Sequence, residues 1–305
     1  MNLSDTYADL YNILPPERVR TNEPMSAHTS FMAGGPADIF FAPENAGELE
    51  NVITACHDAG TLFYIIGNGT NVLVKDAGYR GAVITTKFMN SVGFADGDGR
   101  KIRAAGGASL SKVSNFALDN DLAGFEFASG IPGTMGGAGY MNAGAYGGEI
   151  KDSFDSALVL SSDGKTEHIT NDGMEFEYRS SVLQKTRAIV IEATVCLVKD
   201  DYVKIKDRML DFNKKREEKQ PLDMPSAGSA FKRPLGNFAS KLIEDAGLRG
   251  FRIGGAQVSE KHCGFIVNAG GATAADILAL VARIQDEVFE KFGVALEPEF
   301  QIIGE

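Results

Sequence analysis

The sequence predicts an α+β protein with a larger domain over residues 1–203 and a smaller α+β domain over residues 204–305. Three observations support this. Strand-like and helix-like patterns mix through the first 200 residues, a charged helical stretch then opens a new region, and no internal repeat or low-complexity linker separates the two. With 305 residues, of which 44% are hydrophobic, the chain is long enough to bury more than one core.

The first region begins with a helical leader that is broken at Pro15 and Pro16. A helix over residues 44–59 is indicated by apolar residues at helical spacing, and a second helix over 109–121 starts at Ser109, which can cap it. Short runs of apolar and β-branched residues between turn signals predict the strands. These predicted strands are 63–66, 72–76, 82–86, 101–105, 157–161, 167–170 and 189–198.

The second region opens with the charged helical stretch 204–221, which Pro221 ends. Basic residues near its end are typical of a solvated helix face; they are Lys214, Lys215, Arg216 and Lys219. The last helix runs from a capping pair, Thr273 and Asp276, to Gly293. Alternation in the terminal segment places Glu297, Glu299 and Gln301 on one face of a strand, with Leu296, Pro298 and Phe300 on the other.

Composition excludes several classes of protein. A net charge of -11 and a pI near 5.0 argue against nucleic acid or an anionic membrane as the main partner, because both need a broad basic surface. The three cysteines are widely spaced and predict reduced thiols. The amino terminus is acidic where a secretory signal is basic, and no apolar run reaches the length of a membrane helix. A cytoplasmic protein is predicted.

Residues 130–148 contain eight glycines and carry the strongest functional signal. Backbone without Cβ atoms can surround an anion or let a large flat ligand come close, which predicts a bulky phosphorylated cofactor. A second glycine-rich segment, GNGTNVLV at 67–74, follows a strand. It lacks the third glycine and the helix of a Rossmann fingerprint, and no P-loop pattern occurs. The pair suggests a dinucleotide laid across loops.

The remaining candidate residues are polar. Tyr178 and Arg179 precede the predicted buried strand, and an arginine there can hold a carboxylate through two hydrogen bonds. Ser229 lies among small residues ahead of Lys232 and Arg233, which suits a hydroxyl presented beside an anion. Glu299 lies on the polar face of the terminal strand. The four histidines are scattered without metal-ligand spacing, so no metal site is predicted.

Seven segments together resemble the bacterial UDP-N-acetylenolpyruvoylglucosamine reductase family (MurB, UDP-N-acetylmuramate dehydrogenase). They occur in the family's order and cover nearly the whole chain: HTSFMAGGPAD at 28–38, IIGNGTNVLV at 65–74, GFEFASGIPGTMGGAGYMNAGAYGGEI at 124–150, YRSS at 178–181, PSAGSAFKRP at 225–234, GFRIGGAQVSEKHCGFIVN at 250–268 and LEPEF at 296–300. The chain resembles the family's shorter branch, since the region after Arg179 has no room for the longer branch's tyrosine-bearing insertion.

The resemblance implies a vanillyl-alcohol-oxidase-type (PCMH-type) FAD-binding domain of two α+β subdomains, about 28–88 and 89–203. A substrate domain over 204–305 follows, and its C-terminal strand returns to the active site. It also implies noncovalent FAD, reduction by NADPH, and hydride transfer to the enolpyruvyl group of UDP-N-acetylglucosamine enolpyruvate. The product would be UDP-N-acetylmuramate, a precursor in peptidoglycan synthesis.

The resemblance also implies residue roles. Ser229 matches the family's proton donor, while Arg179 and Glu299 match the pair that stabilises the intermediate. The predicted cofactor-binding residues are Gly67, Asn68, Gly69, Thr70, Asn71, Leu73, Gly130, Ile131, Pro132, Gly133, Gly136, Gly137, Asn142, Gly144, Ala145 and Tyr146. The predicted substrate-binding residues are Tyr178, Lys219, Lys232 and Arg233. Gln301 stands where the family often has a basic residue.

Two alternatives stay open at this point. One is a flavin oxidase of the same fold that acts on a hydroxy acid or alcohol with oxygen. The other is a catalytically silent nucleotide-binding regulator, which the glycine-rich loops alone would permit. The joint presence of Arg179, Ser229 and Glu299 favours the reductase, because an enolate-like intermediate needs a cation and a proton source.

Overall fold

The computed structural model describes residues 7, 10–95, 97, 99–161 and 164–305. The helices are α1 (Ala46–Asp58), α2 (Leu110–Asp119), α3 (Met135–Met141), α4 (Val182–Thr186), α5 (Tyr202–Lys219), α6 (Ala239–Asp245) and α7 (Ala274–Phe292). The strands are β1 (Val19–Pro24), β2 (Pro36–Phe41), β3 (Phe63–Ile66), β4 (Val72–Val74), β5 (Tyr79–Thr85), β6 (Val92–Phe94), β7 (Lys101–Ala105), β8 (Leu122–Ala123), β9 (Gly144–Ala145), β10 (Gly148–Glu149), β11 (Phe154–Leu160), β12 (Thr166–Thr170), β13 (Ile189–Cys196), β14 (Val198–Lys199), β15 (Ser226–Ser229), β16 (Arg252–Ile253), β17 (Ala256–Val258), β18 (Phe265–Asn268) and β19 (Gln301–Ile303). Within these described ranges, no helix is both long and apolar enough to cross a membrane.

The chain divides into two compact units. The larger unit consists of residues 1–20, 39–68 and 82–216, and the smaller unit of residues 21–38, 69–81 and 217–305. Each unit therefore contains segments that are distant in sequence. The assignment of a cofactor domain to 1–203 and a substrate domain to 204–305 stays a prediction.

An antiparallel sheet in the larger unit has the strand order β12-β11-β13-β7-β6. Its central strand is β13, which confirms the buried strand predicted over 189–198. A further sheet has the order β1-β2-β5-β3, and β5 and β3 run parallel with Phe63 opposite Ala82. Buried side chains form one cluster around Leu110 and Phe125 and another around Leu49 and Ile84.

The helices predicted over 44–59 and 109–121 are confirmed, the second with its predicted cap at Ser109. Asn45 caps α1 by accepting a hydrogen bond from the Glu48 N–H at 3.0 Å, and Ser109 caps α2 by accepting from the Lys112 N–H at 3.2 Å. The apolar face predicted for α1 is buried. The helical leader falls largely on residues 1–6, 8 and 9, outside the described residues.

The glycine-rich block contains a helix that the sequence pattern did not predict. Thr134 caps α3, and its side chain accepts from the Gly137 N–H at 3.3 Å. Met135 and Ala138 are buried, and the N–H of Gly136 donates to the carbonyl of Gly106 at 2.8 Å. Glycine disfavours a helix in isolation, but these positions allow close backbone packing, and tertiary contacts outweigh the poor local propensity.

The smaller unit contains the antiparallel sheet β15-β18-β17-β16 and the long helix α7. The predicted capping box of α7 is present, with Thr273 and Asp276 each bonded to the other's backbone N–H. At the C-terminus, β19 pairs in parallel with β4, and Gln301 lies opposite Val72. The strand is shorter than predicted, although Leu296 and Phe300 are buried as the alternation requires.

Candidate active site

Two glycine-rich segments, 67–71 and 130–137, meet through residues of the larger unit. The amide of Asn68 donates a hydrogen bond to the carbonyl of Pro132 at 3.3 Å. A Cβ atom at Gly67 would overlap the Thr134 hydroxyl. The fold thus brings together two loops that lie about sixty residues apart, as the cofactor hypothesis requires.

Several glycines are explained by packing within the protein. Gly69 has a φ of +63°, and a Cβ there would overlap the carbonyl oxygen of His28 within the smaller unit. A Cβ on Gly130 would lie 2.6 Å from the Asn213 side-chain oxygen. The absence of a side chain at these positions makes room for protein atoms. Only some of the glycines are therefore explained by the close approach of a ligand.

The loop surface that remains accessible suits a flat cofactor. Gly67, Asn68, Ile131 and Gly133 are half-buried, and Pro132 is exposed. Half-exposed main chain with small side chains lets an aromatic ring system come within van der Waals distance. The loop residues therefore fit a flavin nucleotide. Gly137 is exposed, Gly136 and Thr70 are half-buried, and the side chain of Leu73 is fully buried in the smaller unit's core.

A cavity of about 350 Å³ lies beside Arg179 in the larger unit. It is lined by the segment from Gly144 to Glu149, by Lys151 and Asp152, and by Tyr178 and Arg179. The predicted cofactor residues Gly144, Ala145 and Tyr146 therefore lie at the same cavity as the predicted catalytic arginine. The ion pair between Glu149 and Lys151, at 2.7 Å, forms part of its wall.

Arg179 lies in a tight turn whose end residues, Glu177 and Ser180, exchange two backbone hydrogen bonds of 3.1 and 3.2 Å. Its guanidinium donates to the carbonyl of Gly144 at 3.2 Å and lies 5.1 Å from the centre of the Tyr178 ring. Arg179 is half-buried and Tyr178 is exposed. The arginine therefore lies at the cavity with its side chain partly accessible to solvent.

Ser229 lies at an irregularity in the smaller unit's sheet. Between Ser226 and Ser229 the register of β15 against β18 shifts, and Gly228 adopts a φ of +78°. Bulges of this kind turn a side chain out of the regular ladder, and they are common next to active sites. Ser229 is exposed, so its hydroxyl is accessible to a substrate.

Glu299 lies beside Ser229 along the backbone pairing of the smaller unit. The N–H of Glu299 donates to the carbonyl of Ala230 at 2.9 Å, and the N–H of Lys232 donates to the carbonyl of Glu297 at 2.8 Å. The fold thus brings together two predicted catalytic residues that are seventy positions apart. Arg179, the third, belongs to the larger unit.

The predicted substrate-binding cations of the smaller unit have different surroundings. Lys232 forms an ion pair of 2.5 Å with Glu297, and Arg233 stacks on the exposed ring of Phe238 at 4.0 Å. Lys219 is exposed at the end of α5. Arg233 and Lys219 therefore have the accessibility that binding a diphosphate requires, while Lys232 is already neutralised by a carboxylate.

Sequence reasoning missed a cluster formed by α5 in the larger unit. The ring of Phe212 stacks on Tyr146 with ring centres 5.0 Å apart, and the guanidinium of Arg216 lies 5.9 Å from the same ring. Burial lowers the pKa of Arg216. Arg216 is half-buried, unlike the exposed Lys214, Lys215 and Lys219 of the predicted solvated face. Aromatic residues spaced among these cations were the available signal.

Comparison with known proteins identifies the family. A UDP-N-acetylenolpyruvoylglucosamine reductase from Caldanaerobacter subterraneus subsp. tengcongensis is 51% identical over 296 residues, which cover 97% of each chain. The chain belongs to the UDP-N-acetylenolpyruvoylglucosamine reductase family. A member from Clostridium botulinum is 50% identical over 294 residues, covering 96% of this chain and 95% of the relative.

Family models and solved structures agree with this membership. Residues 220–303 match the C-terminal domain of UDP-N-acetylenolpyruvoylglucosamine reductase, and residues 37–170 match an FAD-binding domain. The reductase from Thermus caldophilus is similar over 94% of this chain and 98% of its own, with a TM-score of 0.80 and 31% identity. A glucose dehydrogenase, Phl p 4.0202, shares the fold at a TM-score of 0.51 and 14% identity, covering 96% of this chain and 61% of its own. The predicted FAD-binding fold is confirmed.

Proposed function

We propose that this protein is an FAD-dependent reductase that uses NADPH to reduce the enolpyruvyl group of UDP-N-acetylglucosamine enolpyruvate. The product is UDP-N-acetylmuramate, which serves peptidoglycan synthesis. The observation that carries the proposal is 51% identity to a family member over 97% of both chains. The match of residues 37–170 to an FAD-binding domain supports the cofactor.

Bound FAD supplies two-electron hydride chemistry, and the protein supplies binding and orientation. The main chain of Gly67, Asn68 and residues 131–133 would hold it, and Tyr146 with its neighbours Gly144 and Ala145 would contribute further contacts. The contacts of Asn68 with Pro132 and of Gly67 with Thr134 fix these two loops against each other. The loop geometry therefore does not need to form during cofactor binding, which lowers the entropic cost of binding.

Arg179 stabilises the negative charge that reduction places on the enolpyruvyl carbon and its carboxylate. A guanidinium suits this role because its planar fork can donate two hydrogen bonds to a carboxylate and stays charged at any physiological pH. Its position at the 350 Å³ cavity leaves room for a small carboxylate. Tyr178, exposed in the same turn, lies where it can bind another part of the substrate.

Ser229 donates the proton that completes the reduction. A serine hydroxyl is a weak acid, so it serves only when held within hydrogen-bond distance of the carbon and reprotonated afterwards. The bulge before Ser229 and its exposure support this role. Glu299 lies beside Ser229. An ionised carboxylate would repel the negative charge of the enolate-like intermediate, so Glu299 acts either in its protonated form or by orienting a cation.

The chemistry of the ligands supports a cytoplasmic location. UDP-sugars and NADPH are charged nucleotides that do not cross membranes unaided, so an enzyme that consumes both works where they are made. Lys219 and Arg233 are the proposed contacts with the substrate's phosphates, whereas Lys232 is paired with Glu297. The flavin oxidase alternative has only the shared fold in its favour, and a fold does not determine the reaction.

An absorbance trace at the flavin band tests the proposal. Under anaerobic conditions, NADPH should bleach the band, and UDP-N-acetylglucosamine enolpyruvate should then restore it. Rapid restoration by air, with no response to the enolpyruvyl compound, would support an oxidase. A colourless protein that cannot be reconstituted with FAD would refute both flavin hypotheses.

A further inference from the structure

The turn that carries Arg179 has a strained backbone. Arg179 adopts a φ of +55°, a left-handed conformation that favours glycine or asparagine at the second central position of a turn. For a residue with a Cβ and a long side chain this conformation costs about 1 kcal/mol or more. Such a turn persists only when the surrounding structure holds it, and two side-chain amides do so here.

One tether is Asn142, which ends α3 with a φ of +42°. Its side-chain nitrogen donates to the carbonyl of Glu177 at 3.0 Å and to the carboxylate of Glu149 at 3.2 Å. Its side-chain oxygen accepts from the N–H of Lys151 at 3.1 Å. The carbonyl of Glu177 thereby accepts two hydrogen bonds, from Asn142 and from Ser180, which uses both of its lone pairs.

A second tether is Gln184 in α4. Its side-chain nitrogen donates to the carbonyl of Arg179 itself at 3.0 Å and to the carbonyl of Tyr140 at 3.2 Å. The hydroxyl of Ser181 also donates to Tyr140, at 2.9 Å. The turn is therefore held at Glu177 by one amide and at Arg179 by another, and both amides belong to the larger unit.

Asn142 was assigned to the cofactor by resemblance, but its contacts indicate another role. It is fully buried, with 0% of its surface exposed, and both amide hydrogens and the oxygen have protein partners. Both amide hydrogens are therefore used within the protein, and the buried oxygen keeps one lone pair, so the side chain has no donor left for a ligand.

We propose that Asn142 and Gln184 are positioning residues that hold the 177–180 turn in the conformation that presents Arg179 to the substrate. This inference rests on the proposed function. It predicts that loss of either tether misplaces the guanidinium and slows the substrate-dependent step, while the reduction of bound flavin by NADPH, which does not need Arg179, continues.

Asn142→Asp is the first test. The substituted carboxylate keeps the acceptor for Lys151 but places a second oxygen against Glu149 and the Glu177 carbonyl, where the amide donated. We expect flavin reoxidation by UDP-N-acetylglucosamine enolpyruvate to slow about 10- to 100-fold, because small misplacements of a catalytic group cost that much. The rate of flavin reduction by NADPH should stay within about 2-fold of the rate in the unsubstituted protein, because this step does not depend on the position of Arg179.

Gln184→Met is the second test, and it decides the matter if Asn142→Asp fails to fold. It removes the donor without adding charge, and Ser181 still satisfies the Tyr140 carbonyl. The matched control is Asn171→Asp. The amide of Asn171 also donates to two carbonyls in the larger unit, those of Lys151 at 2.8 Å and Phe154 at 2.6 Å, but not to the turn.

A selective loss of reoxidation in Asn142→Asp and Gln184→Met, absent from Asn171→Asp, supports the proposal. An equal loss in both half-reactions, no loss, or the same selective loss in Asn171→Asp overturns it. The unsubstituted protein is measured first, since its failure to respond to the substrate refutes the proposed function instead. A crystal structure of either variant then gives a readout independent of catalysis. An unchanged turn with Arg179 still at positive φ overturns the inference.

Discussion

The side-chain amide of Asn71 donates a hydrogen bond to the main-chain carbonyl of Glu299, across an N···O distance of 3.3 Å. The N–H of Gln301 donates back to the carbonyl of Asn71 at 2.9 Å. Asn71 therefore fixes the segment of Glu299 from one side, while the pairing of Glu299 with Ala230 fixes it from the other. A residue predicted to contact the cofactor is thus bonded to a proposed catalytic segment.

Asn71→Ala should slow flavin reoxidation by substrate about 10-fold, since the carbonyl of Glu299 loses its side-chain donor while the main-chain bonds of Gln301 and Glu299 remain. Stopped-flow absorbance measures this rate. Asn68→Ala is the matched control, because Asn68 bonds instead to Pro132 in the other glycine-rich loop. That variant should weaken FAD retention. Asn71→Ala protein that loses FAD, while the fraction that keeps FAD is reoxidised at the normal rate, would instead support a cofactor-binding role for Asn71.

Ser229→Ala should leave reduction by NADPH intact and slow reoxidation by substrate about 10²- to 10⁴-fold, the usual contribution of a positioned proton donor. Ser226→Ala changes a residue of the same strand that lies before the bulge, and both half-reactions of this variant should proceed at rates close to those of the unsubstituted protein. Separate measurement of the two half-reactions distinguishes the effects. Equal impairment of both would remove Ser229 from the proton-donor role.

Gly67→Ala should destabilise the protein by about 1–3 kcal/mol, the usual cost of overpacking, because the new methyl group would overlap the Thr134 side chain. Urea unfolding measures this difference. Gly67→Ala should destabilise a Thr134→Ala background less than it destabilises the unsubstituted protein, since the two sites interact; Thr134→Ala alone is measured as well because it removes the cap of α3. Gly93→Ala, where a Cβ meets no atom within 4 Å, is the control for a glycine without a packing role.

Asp276→Asn should change how stability depends on pH. The carboxylate accepts hydrogen bonds from the N–H groups of Thr273 and Gly255, both at 3.1 Å, and these lower the pKa of Asp276. A carboxyl with a lowered folded-state pKa stabilises the protein fully above its unfolded pKa, about 3.9, and this contribution is lost as the pH falls through the folded pKa.

Melting temperatures of the unsubstituted protein and of Asp276→Asn should therefore differ most near neutral pH and converge in acid. Asp286→Asn, an exposed position on the same helix, controls for the general effect of removing a negative charge. A constant difference between pH 7 and about pH 3 would mean that the carboxylate's charge is not what stabilises the helix start.

The three thiols should react in a fixed order. Cys196 is exposed, whereas Cys56 is buried and its burial raises its pKa to about 12. Burial also raises the pKa of Cys263. Because the thiolate is the nucleophile, iodoacetamide at mildly alkaline pH should label Cys196 first, as followed by mass spectrometry. Cys196→Ser should abolish the fast phase, and labelling of Cys56 should require unfolding.

Much of the fold follows from sequence because it depends on local patterns. The helix start at Asn45, the cap at Ser109 and the capping box of Thr273 and Asp276 are all determined within four residues. The central strand β13 is recognisable because a long apolar run between turn signals has few alternatives. The family membership is likewise readable, since its motifs are long and occur in order.

Helix α3 and the cluster of Phe212 and Arg216 on Tyr146 were not predictable, because each depends on residues far away in sequence. Glycines at 136 and 139 argue locally against a helix, and only packing against Gly106 and Met174 makes one favourable there. From the sequence alone, Arg216 could not be distinguished from its exposed neighbours, because which face of a helix is buried depends on the residues that pack against it.

By itself, the sequence determined the family, because seven long motifs occur in the order of the flavin reductases that they resemble, and Arg179, Ser229 and Glu299 are proposed catalytic residues on that ground. The tertiary structure alone decided which of these residues contact one another. It placed Glu299 beside Ala230 and Asn71, and it engaged every polar atom of Asn142 inside the protein. A motif shows which residue types are present. Their hydrogen-bond partners come from segments distant in sequence, so they cannot be predicted from a local pattern.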